Sequence, residues 1–158
     1  MNTDFTIRIA QQSDALELMS LFQETVLHIN KRDYSEAEVA DWASCGNDLS
    51  HIKDMIKTHY FCGNQSTVTD CRLFIHYQGY LHSMFIHKDF QGKGIATILL
   101  NEIERYATAR GIMRITSEVS LTARPFFEKR GYIVEVEQKR KANQLYLTNF
   151  WMAKRLAE

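Results

Sequence analysis

Two glycines flank a lysine in the segment FQGKGIAT, residues 90–97, where an apolar run gives way to a helical pattern. The N-terminus of a helix exposes unpaired backbone N–H groups and the positive end of the helix dipole, so it can bind an anion. Gly92 and Gly94 leave room for a diphosphate against the backbone, and Lys93 adds charge at the rim. The alternative is an ordinary strand-to-helix turn that needs glycine for its positive φ, and these residues alone fit both.

Two well-known phosphate loops do not fit this spacing. A P-loop requires G-x-x-x-x-G-K-[ST], but no glycine lies five positions before Gly92, and Lys93 is followed by Gly94. A dinucleotide fingerprint requires G-x-G-x-x-G and an acidic residue about 20 positions later. Thr97 occupies its third glycine position, and residues 112–116 contain no acid. Both loops are therefore excluded by spacing.

The composition is that of a globular protein without a broad charged surface. A chain of 158 residues is long enough for one well-buried core, so one domain is expected over residues 1–158. No apolar run approaches the roughly 20 residues that span a bilayer. Lysine plus arginine equals aspartate plus glutamate at 19 each, which disfavours a nucleic-acid binder. We expect neither a membrane nor a nucleic acid as partner, and the sequence leaves a monomer and a homodimer open.

The cysteines give no sign of a disulfide framework or a metal site. Cys45, Cys62 and Cys71 are odd in number and lack C-x-x-C spacing, so no metal is expected. The N-terminal segment MNTDFTIRIAQQSD has no basic stretch followed by a hydrophobic one, as a secretion signal would. The cytoplasm is the expected location.

Hydrophobic periodicity predicts the elements that position the glycine turn. Alternating apolar residues predict a first strand in 5–10, and Ser13 is expected to cap the helix that follows. Ser35 and Glu38 form an S-x-x-E capping box at the start of a second helix. The predicted remainder comprises a short helix to about His59, two short strands joined by the turn 63–66, strand 80–86, helix 95–110 ended by Gly111, strand 113–119, a short helix within 121–131, and strands 132–138 and 145–152. This order predicts a mixed α/β fold around one central sheet.

Two blocks of this chain resemble the GNAT superfamily, the acetyl-CoA-dependent N-acetyltransferases. Gln91, Gly94 and Ala96 form Q-x-x-G-x-A between a strand and a helix, as in motif A of that family. The segment SEVSLTARPFFEKRGY, residues 117–132, is similar to motif B. Its matching positions are Ala123, Phe126, Gly131 and Tyr132. The resemblance covers about residues 80–156 and implies a bacterial subgroup whose acceptor is unsettled.

The resemblance implies a fold and a place for acetyl-CoA. The fold would be a single mixed sheet with helices on both faces, in which the parallel central strands 80–86 and 113–119 splay apart. The pantetheine arm would lie between them, where a bulge frees backbone groups. Met84, Phe85 and Ile86 would be its backbone partners, and Ser120, where the family often has asparagine, could hydrogen-bond it. The diphosphate would lie on the amides of Gln91, Gly92, Lys93, Gly94, Ile95, Ala96 and Thr97.

The implied reaction is transfer of the acetyl group to a primary amine of a small molecule, peptide or protein. An amine with a pKa near 10.4 must lose a proton before it attacks, so a base is needed. Glu118 and His82 are the candidates, although a solvated glutamate and a packing histidine are the simpler interpretations of each. Phe127 occupies the cofactor-site position where the family usually has a proton-donating tyrosine. The donor would be another group, water or none, and Tyr80, Tyr106, Tyr132 and Tyr146 are not ranked by sequence.

The acceptor site is expected near the first helices. Tyr34 and Trp42 are the candidates for lining it, with core packing the alternative for Trp42. Phe127 also keeps open a rival from another class, a non-catalytic acyl-CoA-binding or interaction module. A nicotinamide enzyme, which would bind NAD and not CoA, is a further rival.

The stretch Cys62 to His76 lacks the alternating apolar run that the family usually has before the splayed strands. Divergence in a surface hairpin is one explanation. A shift of reading frame is the other, because permissible codons read one nucleotide later yield such a run. The nucleotide sequence distinguishes the two.

Overall fold

A computed structural model describes the backbone of residues 7–58, 60–64, 69–74 and 79–156. The strands are β1 (Ile7–Ile9), β2 (Tyr60–Asn64), β3 (Thr69–Phe74), β4 (Tyr80–Ile86), β5 (Arg114–Ser120), β6 (Ile133–Lys141) and β7 (Tyr146–Arg155). The helices are α1 (Ala15–His28), α2 (Glu36–Ser44), α3 (Leu49–Thr58), α4 (Ile95–Ala109) and α5 (Arg124–Lys129). Short 3₁₀ turns lie at 12–14, 30–32, 45–47 and 88–90. The predicted α/β fold is confirmed.

The described strands form one mixed sheet in the order β1-β2-β3-β4-β5-β7-β6. Only β4 and β5 are parallel, and they pair only where Tyr80 lies opposite Thr116 and Leu81 opposite Ser117. Beyond these two pairs the strands separate while β5 continues to pair with β7. The predicted splaying of two central parallel strands is therefore present.

A β-bulge interrupts β4 beside the point of separation. The register with β3 passes from Arg72 opposite Ser83 to Leu73 opposite Leu81, so His82 is the extra residue on β4. An extra residue bends its strand and leaves backbone groups outside the ladder. The bulge predicted for the splayed strand is thus located at His82.

Helices cover both faces of the sheet. Ile86 is buried in the cluster that includes Leu99 and Ile103 of α4. Its neighbour Phe85 packs instead against the clusters formed by α1 and α2, with Val26 as their fully buried member. Because adjacent strand residues point to opposite faces, these contacts place α4 on one face and α1 with α2 on the other.

The helix ends show which local signals decide the boundaries. Ser35 Oγ accepts from the Glu38 N–H at 3.1 Å, and Glu38 Oε1 accepts from the Ser35 N–H at 2.8 Å, so the predicted capping box is confirmed. The predicted cap at Ser13 is wrong, since Ser13 lies inside a 3₁₀ turn and Asp14 precedes α1. The Asp14 carboxylate accepts from the Gln11 N–H and from Arg8, each at 2.8 Å, which stabilises that turn instead.

Several predicted positions lie outside the described residues, namely Phe5, His59, Val68, Ile75 and residues 65–66 of the expected turn. The other half of that turn, Gly63 and Asn64, belongs to β2. Helix α3 runs from Leu49 to Thr58, and β7 runs on to Arg155, beyond the predicted end at residue 152. Within the described part of the chain, every helix is too short or too polar to cross a membrane.

Candidate active site

A cleft of about 820 Å³ lies where β4 and β5 separate. It runs from the turn before α4, past the splayed strands, to α1, α2 and the β6–β7 turn. Most of the predicted site residues line it together: Tyr34, Trp42, His82, Met84, Phe85, Ile86, Gln91, Gly92, Gly94, Ala96, Thr97, Glu118, Ser120 and Phe127. Predictions made from two distant sequence blocks thus converge on one cavity.

The glycine turn has the geometry of an anion cradle. Gly94 is the N-cap of the 15-residue helix α4 and has φ 78°, and Gly92 has φ 73°. A Cβ built on Gly92 meets no atom within 4 Å, so the space beside it is open. The Gln91 side chain closes the turn by donating from Nε2 to the Ile86 carbonyl at 2.7 Å. The positive φ angles favour glycine at both positions, and the open space beside Gly92 is available to a ligand.

Two predicted members of the cradle direct their side chains elsewhere. Lys93 Nζ lies 5.5 Å from the centre of the Phe90 ring, and Lys93 is absent from the residues that line the cleft. The Ile95 side chain is buried in the α4 cluster. At Lys93 and Ile95, therefore, only the backbone N–H is placed to bind an anion at the turn.

Arg130 is the residue that sequence reasoning missed at this end of the cleft. It follows α5, and its Nη2 donates to Thr97 Oγ1 at 2.5 Å. Its Cζ lies 5.2 Å from the Phe126 ring centre, and its buried Nε has no hydrogen-bond partner. Nothing in the segment EKRG distinguishes Arg130 from Lys129, because only the fold brings one of them over α4. A guanidinium with an unused buried N–H, beside helix amides and open space, fits a diphosphate.

The strand register places polar side chains on one floor of the cleft. Residues directly opposite on neighbouring strands share a face, and that face alternates along each strand. Glu118 lies opposite Trp151, and Arg140 lies opposite Leu147, on the face that carries α1 and α2. The polar residues of this floor include Tyr80, Glu118, Ser120, Arg140 and Asn149.

Glu118 forms an ion pair on this floor. Its Oε1 lies 3.0 Å from Arg140 Nε, and the two side chains are 22% and 61% exposed. The Tyr80 ring stacks on Trp151 with centres 5.7 Å apart, and the His82 ring lies edge-on to Tyr80 at 6.0 Å. Burial and then the nearby charge of Glu118 raise the pKa of Tyr80 to about 12, against the opposing effect of Arg140. Both candidate bases therefore adjoin Tyr80.

The structure separates the four tyrosines that sequence left unranked. Tyr132 is buried and donates to Glu104 at 2.9 Å, and Tyr106 lies under the Arg110 guanidinium on α4. Tyr146 is exposed at the start of β7. Of the four, only Tyr80 lines the cleft.

Phe127, for which the sequence resemblance implies a tyrosine position, lines the cleft with an apolar ring. Phe127 is buried and contacts the rings of Phe126 and Tyr132 edge-on. Ser120 Oγ accepts from the Ala123 N–H at 3.1 Å and from Asn30 Nδ2 at 3.5 Å. Since both bonds use its oxygen, the Ser120 hydroxyl proton can donate to a ligand.

Tyr34 and Trp42 line the cleft with their rings. The Tyr34 hydroxyl donates to the Thr148 carbonyl at 2.6 Å and accepts from the Leu121 N–H at 2.9 Å, and burial raises the pKa of Tyr34. Trp42 is half-buried and packs edge-on against Tyr34 with centres 5.7 Å apart. The Tyr34 hydroxyl therefore links β7 to the loop after β5 and has a structural role in the wall of the cleft.

A metal site is not seen in the described parts of the chain. Among those residues, His, Cys, Asp and Glu do not gather in any group of three or more that could hold an ion.

Comparison with known proteins gives a consistent set of relatives. A family model described as an acetyltransferase (GNAT) domain matches residues 30–155. The chain is similar to the uncharacterized N-acetyltransferase YafP of Escherichia coli (strain K12), with 23% identity over 146 residues that cover 92% of this chain and 93% of that protein. A GCN5-related N-acetyltransferase from Rhodopseudomonas palustris superposes with a TM-score of 0.91, 25% identity and 96% coverage of both chains. The PaiA N-acetyltransferase from Thermoplasma acidophilum, solved in complex with coenzyme A, gives a TM-score of 0.79 and 19% identity, covering 98% of this chain and 99% of that one.

Proposed function

Because the chain belongs to the GNAT acetyltransferase family, we propose that it transfers an acetyl group from acetyl-CoA to the nitrogen of a primary amine. The observation that carries this proposal is one cleft that joins the gap between β4 and β5 to the glycine turn at the start of α4. The coenzyme A in the Thermoplasma neighbour supports the choice of cosubstrate.

Backbone groups of β4 are proposed to hold the pantetheine arm. Past Leu81, β4 has lost its parallel partner, so N–H and C=O groups on that side face the cleft. The Ile86 carbonyl already accepts from Gln91 at 2.7 Å and from Thr25 at 3.4 Å. The arm would therefore pair mainly with Met84 and Phe85, and the bulge at His82 offers N–H groups to polarise the thioester carbonyl.

The diphosphate is proposed to lie on the N–H groups of residues 91–97, with Arg130 beside them. Its negative charge would meet the positive end of the α4 dipole and the guanidinium. Lys93 would contribute through its backbone N–H, since its side chain turns toward Phe90.

Glu118 is proposed to receive the proton of the incoming amine, directly or through water. Its carboxylate lies on the floor of the cleft, next to the point where β4 and β5 separate. A negative charge there attracts a protonated amine and then accepts its proton as the nitrogen attacks. His82, the bulged residue beside Tyr80, is the second candidate for this role.

A tyrosine donor for the departing thiolate is not proposed. Phe127 has no proton to give, and the pKa of Tyr80 is raised to about 12. A thiol similar to cysteine has a pKa near 8.5, so proton transfer from Tyr80 would be uphill by roughly 5 kcal/mol. The thiolate is therefore proposed to leave without a proton and to take one from the bulk solvent after it has left the thioester.

The test is release of free thiol from acetyl-CoA in the presence of a panel of primary amines, with mass spectrometry of the products. Acetylated amine and free CoA in equal amounts are expected, with kcat about a hundredfold lower in Glu118→Gln, since a general base typically contributes that much or more. Binding of CoA without turnover on any amine would favour the acyl-CoA-binding module. Binding of NAD in place of CoA would favour the nicotinamide enzyme.

A further inference from the structure

The charges that line the cleft are unequal. Among the described residues that line it, Arg130, Arg140 and Lys141 are the arginines and lysines, and Glu118 is the carboxylate. Arg130 lies at the glycine turn, beside Thr97, while Arg140 and Lys141 lie at the opposite end, where β6 approaches the β6–β7 turn. At the acceptor end Arg140 faces Glu118, the carboxylate that would receive the amine, and Lys141 lies close to Asp41.

Arg140 is placed to bind a ligand from the floor of the cleft. Its Nε lies 3.0 Å from Glu118 Oε1, and its side chain is 61% exposed. Within the described residues its two terminal nitrogens have no protein partner. A guanidinium with two free parallel N–H groups matches the two oxygens of a carboxylate. An exposed ion pair of this kind is weak, so a ligand carboxylate can replace Glu118 as the partner of Arg140 at little cost.

The backbone that carries Arg140 is held firmly over the cleft. The Asp41 carboxylate of α2 accepts from the N–H groups of Asn143, Gln144 and Leu145 at 2.9 to 3.0 Å. These bonds fix the turn that follows Lys141, so the end of β6 cannot swing away without breaking them. A binding group on such a frame is preorganised.

We infer that the acceptor is a primary amine that carries a carboxylate close to its nitrogen, the class of α-amino acids and their near relatives. The carboxylate of the acceptor pairs with Arg140, which releases Glu118 from its ion pair. The amine of the acceptor then lies at Glu118. This inference rests on the proposed acetyl transfer and names the substrate class of the same site. Polyamines fit poorly, because they have no carboxylate for Arg140 and their second ammonium would meet its positive charge.

Matched pairs of amines test the inference. Each pair is an amino acid and the amine left after its carboxylate is removed, such as leucine with isopentylamine and ornithine with putrescine, all at saturating acetyl-CoA. The wild-type chain is expected to favour the amino acid in kcat/KM by about tenfold to a hundredfold, the usual effect of a hydrogen-bonded charge pair. Equal rates, or preference for the decarboxylated amines or for peptides, would overturn it.

Arg140→Gln is the decisive variant. It is expected to raise KM for amino acids by about tenfold or more, and to raise it much less for their decarboxylated partners, so that the preference for the carboxylate is lost. Lys139→Gln is the matched control, because Lys139 is the exposed neighbour of Arg140 and does not line the cleft. An unchanged affinity for CoA, measured by calorimetry, shows that the variant is folded. An unchanged preference for amino acids in Arg140→Gln would refute the role of Arg140.

Calorimetric titration of the CoA complex with amino acids separates this inference from the proposed function. Binding that Arg140→Gln weakens, with no turnover, would sustain the acceptor class and overturn acetyl transfer. Turnover of amines without any dependence on a carboxylate would support acetyl transfer and overturn the proposed acceptor class.

Discussion

Arg130 donates a hydrogen bond of 2.5 Å to Thr97, which joins the end of α5 to the first turn of α4. The two residues are 33 positions apart in the chain. The contact brings the second block of the family resemblance over the first, with an unpartnered buried Nε at the junction. The end of the cleft proposed for the diphosphate is therefore built by both blocks together.

Arg130→Gln is expected to weaken CoA binding about tenfold to a hundredfold, because it removes a charge-assisted contact to phosphate. Calorimetry with CoA measures the dissociation constant. Lys129→Gln is the control, since Lys129 is the exposed neighbour of Arg130. Equal affinities in the two variants would contradict the role given to Arg130.

Gly92→Ala is expected to lower CoA affinity beyond its effect on stability. Gly111→Ala is a matched control, since both glycines have φ near 73° and both added methyl groups meet no atom within 4 Å. Each substitution should cost roughly 1–2 kcal/mol of unfolding free energy for its left-handed backbone. Only the methyl group at residue 92 would enter the cleft. Urea unfolding should show a similar loss of stability in both variants, whereas calorimetry should show a loss of CoA affinity in Gly92→Ala alone. An equal loss of CoA affinity in both variants would refute the cradle.

Glu118→Gln is expected to lower the pKa of Tyr80 from about 12, because the nearby negative charge is removed. The pKa should stay above the ordinary value near 10, since burial is the larger cause and is unchanged. Arg140→Gln should raise the pKa of Tyr80 further, because the charge of Arg140 lowers that pKa. Ultraviolet titration of tyrosine ionisation measures these shifts, and the variant Tyr80→Phe identifies the signal of Tyr80. A rise of the Tyr80 pKa in Glu118→Gln, or a fall in Arg140→Gln, would contradict the described geometry.

Asp14 is expected to make the stability of the fold depend on acid pH. The hydrogen bond from Arg8 and the Gln11 N–H lower the pKa of Asp14 against the effect of burial. A carboxyl whose pKa is lower in the folded chain stabilises it above the unfolded pKa, near 3.9, and loses this effect as pH falls through the folded value. Asp14→Asn should therefore reduce the unfolding free energy at neutral pH, and its difference from wild type should shrink at an acid pH below the unfolded pKa.

Urea unfolding at both pH values measures that difference. The exposed Asp33 provides the control variant Asp33→Asn, which lies outside this hydrogen-bonded turn. A difference between wild type and Asp14→Asn that persisted at the acid pH would exclude ionisation of Asp14 as its source.

The sequence by itself determined the local elements and the cradle. The capping box at Ser35, the apolar face of α4 and the glycine turn at Gly94 depend on residues within a few positions of one another, and such patterns are visible along the chain. Even locally, the Ser13 prediction was wrong, because Asp14 forms stronger bonds with Gln11 and Arg8 than a serine hydroxyl offers.

Only the tertiary structure decided which distant side chains meet. The pair formed by Arg130 and Thr97 depends on how α5 packs over α4, and the ion pair of Glu118 with Arg140 depends on the register of β5, β7 and β6. Neither contact produces a local pattern in the sequence, because a single charged residue has the same sequence context whether its side chain faces water or a partner. The sequence thus predicted the glycine turn that is proposed to hold the cosubstrate, whereas the position of Arg130 and the charges at the proposed acceptor end follow from packing and strand register.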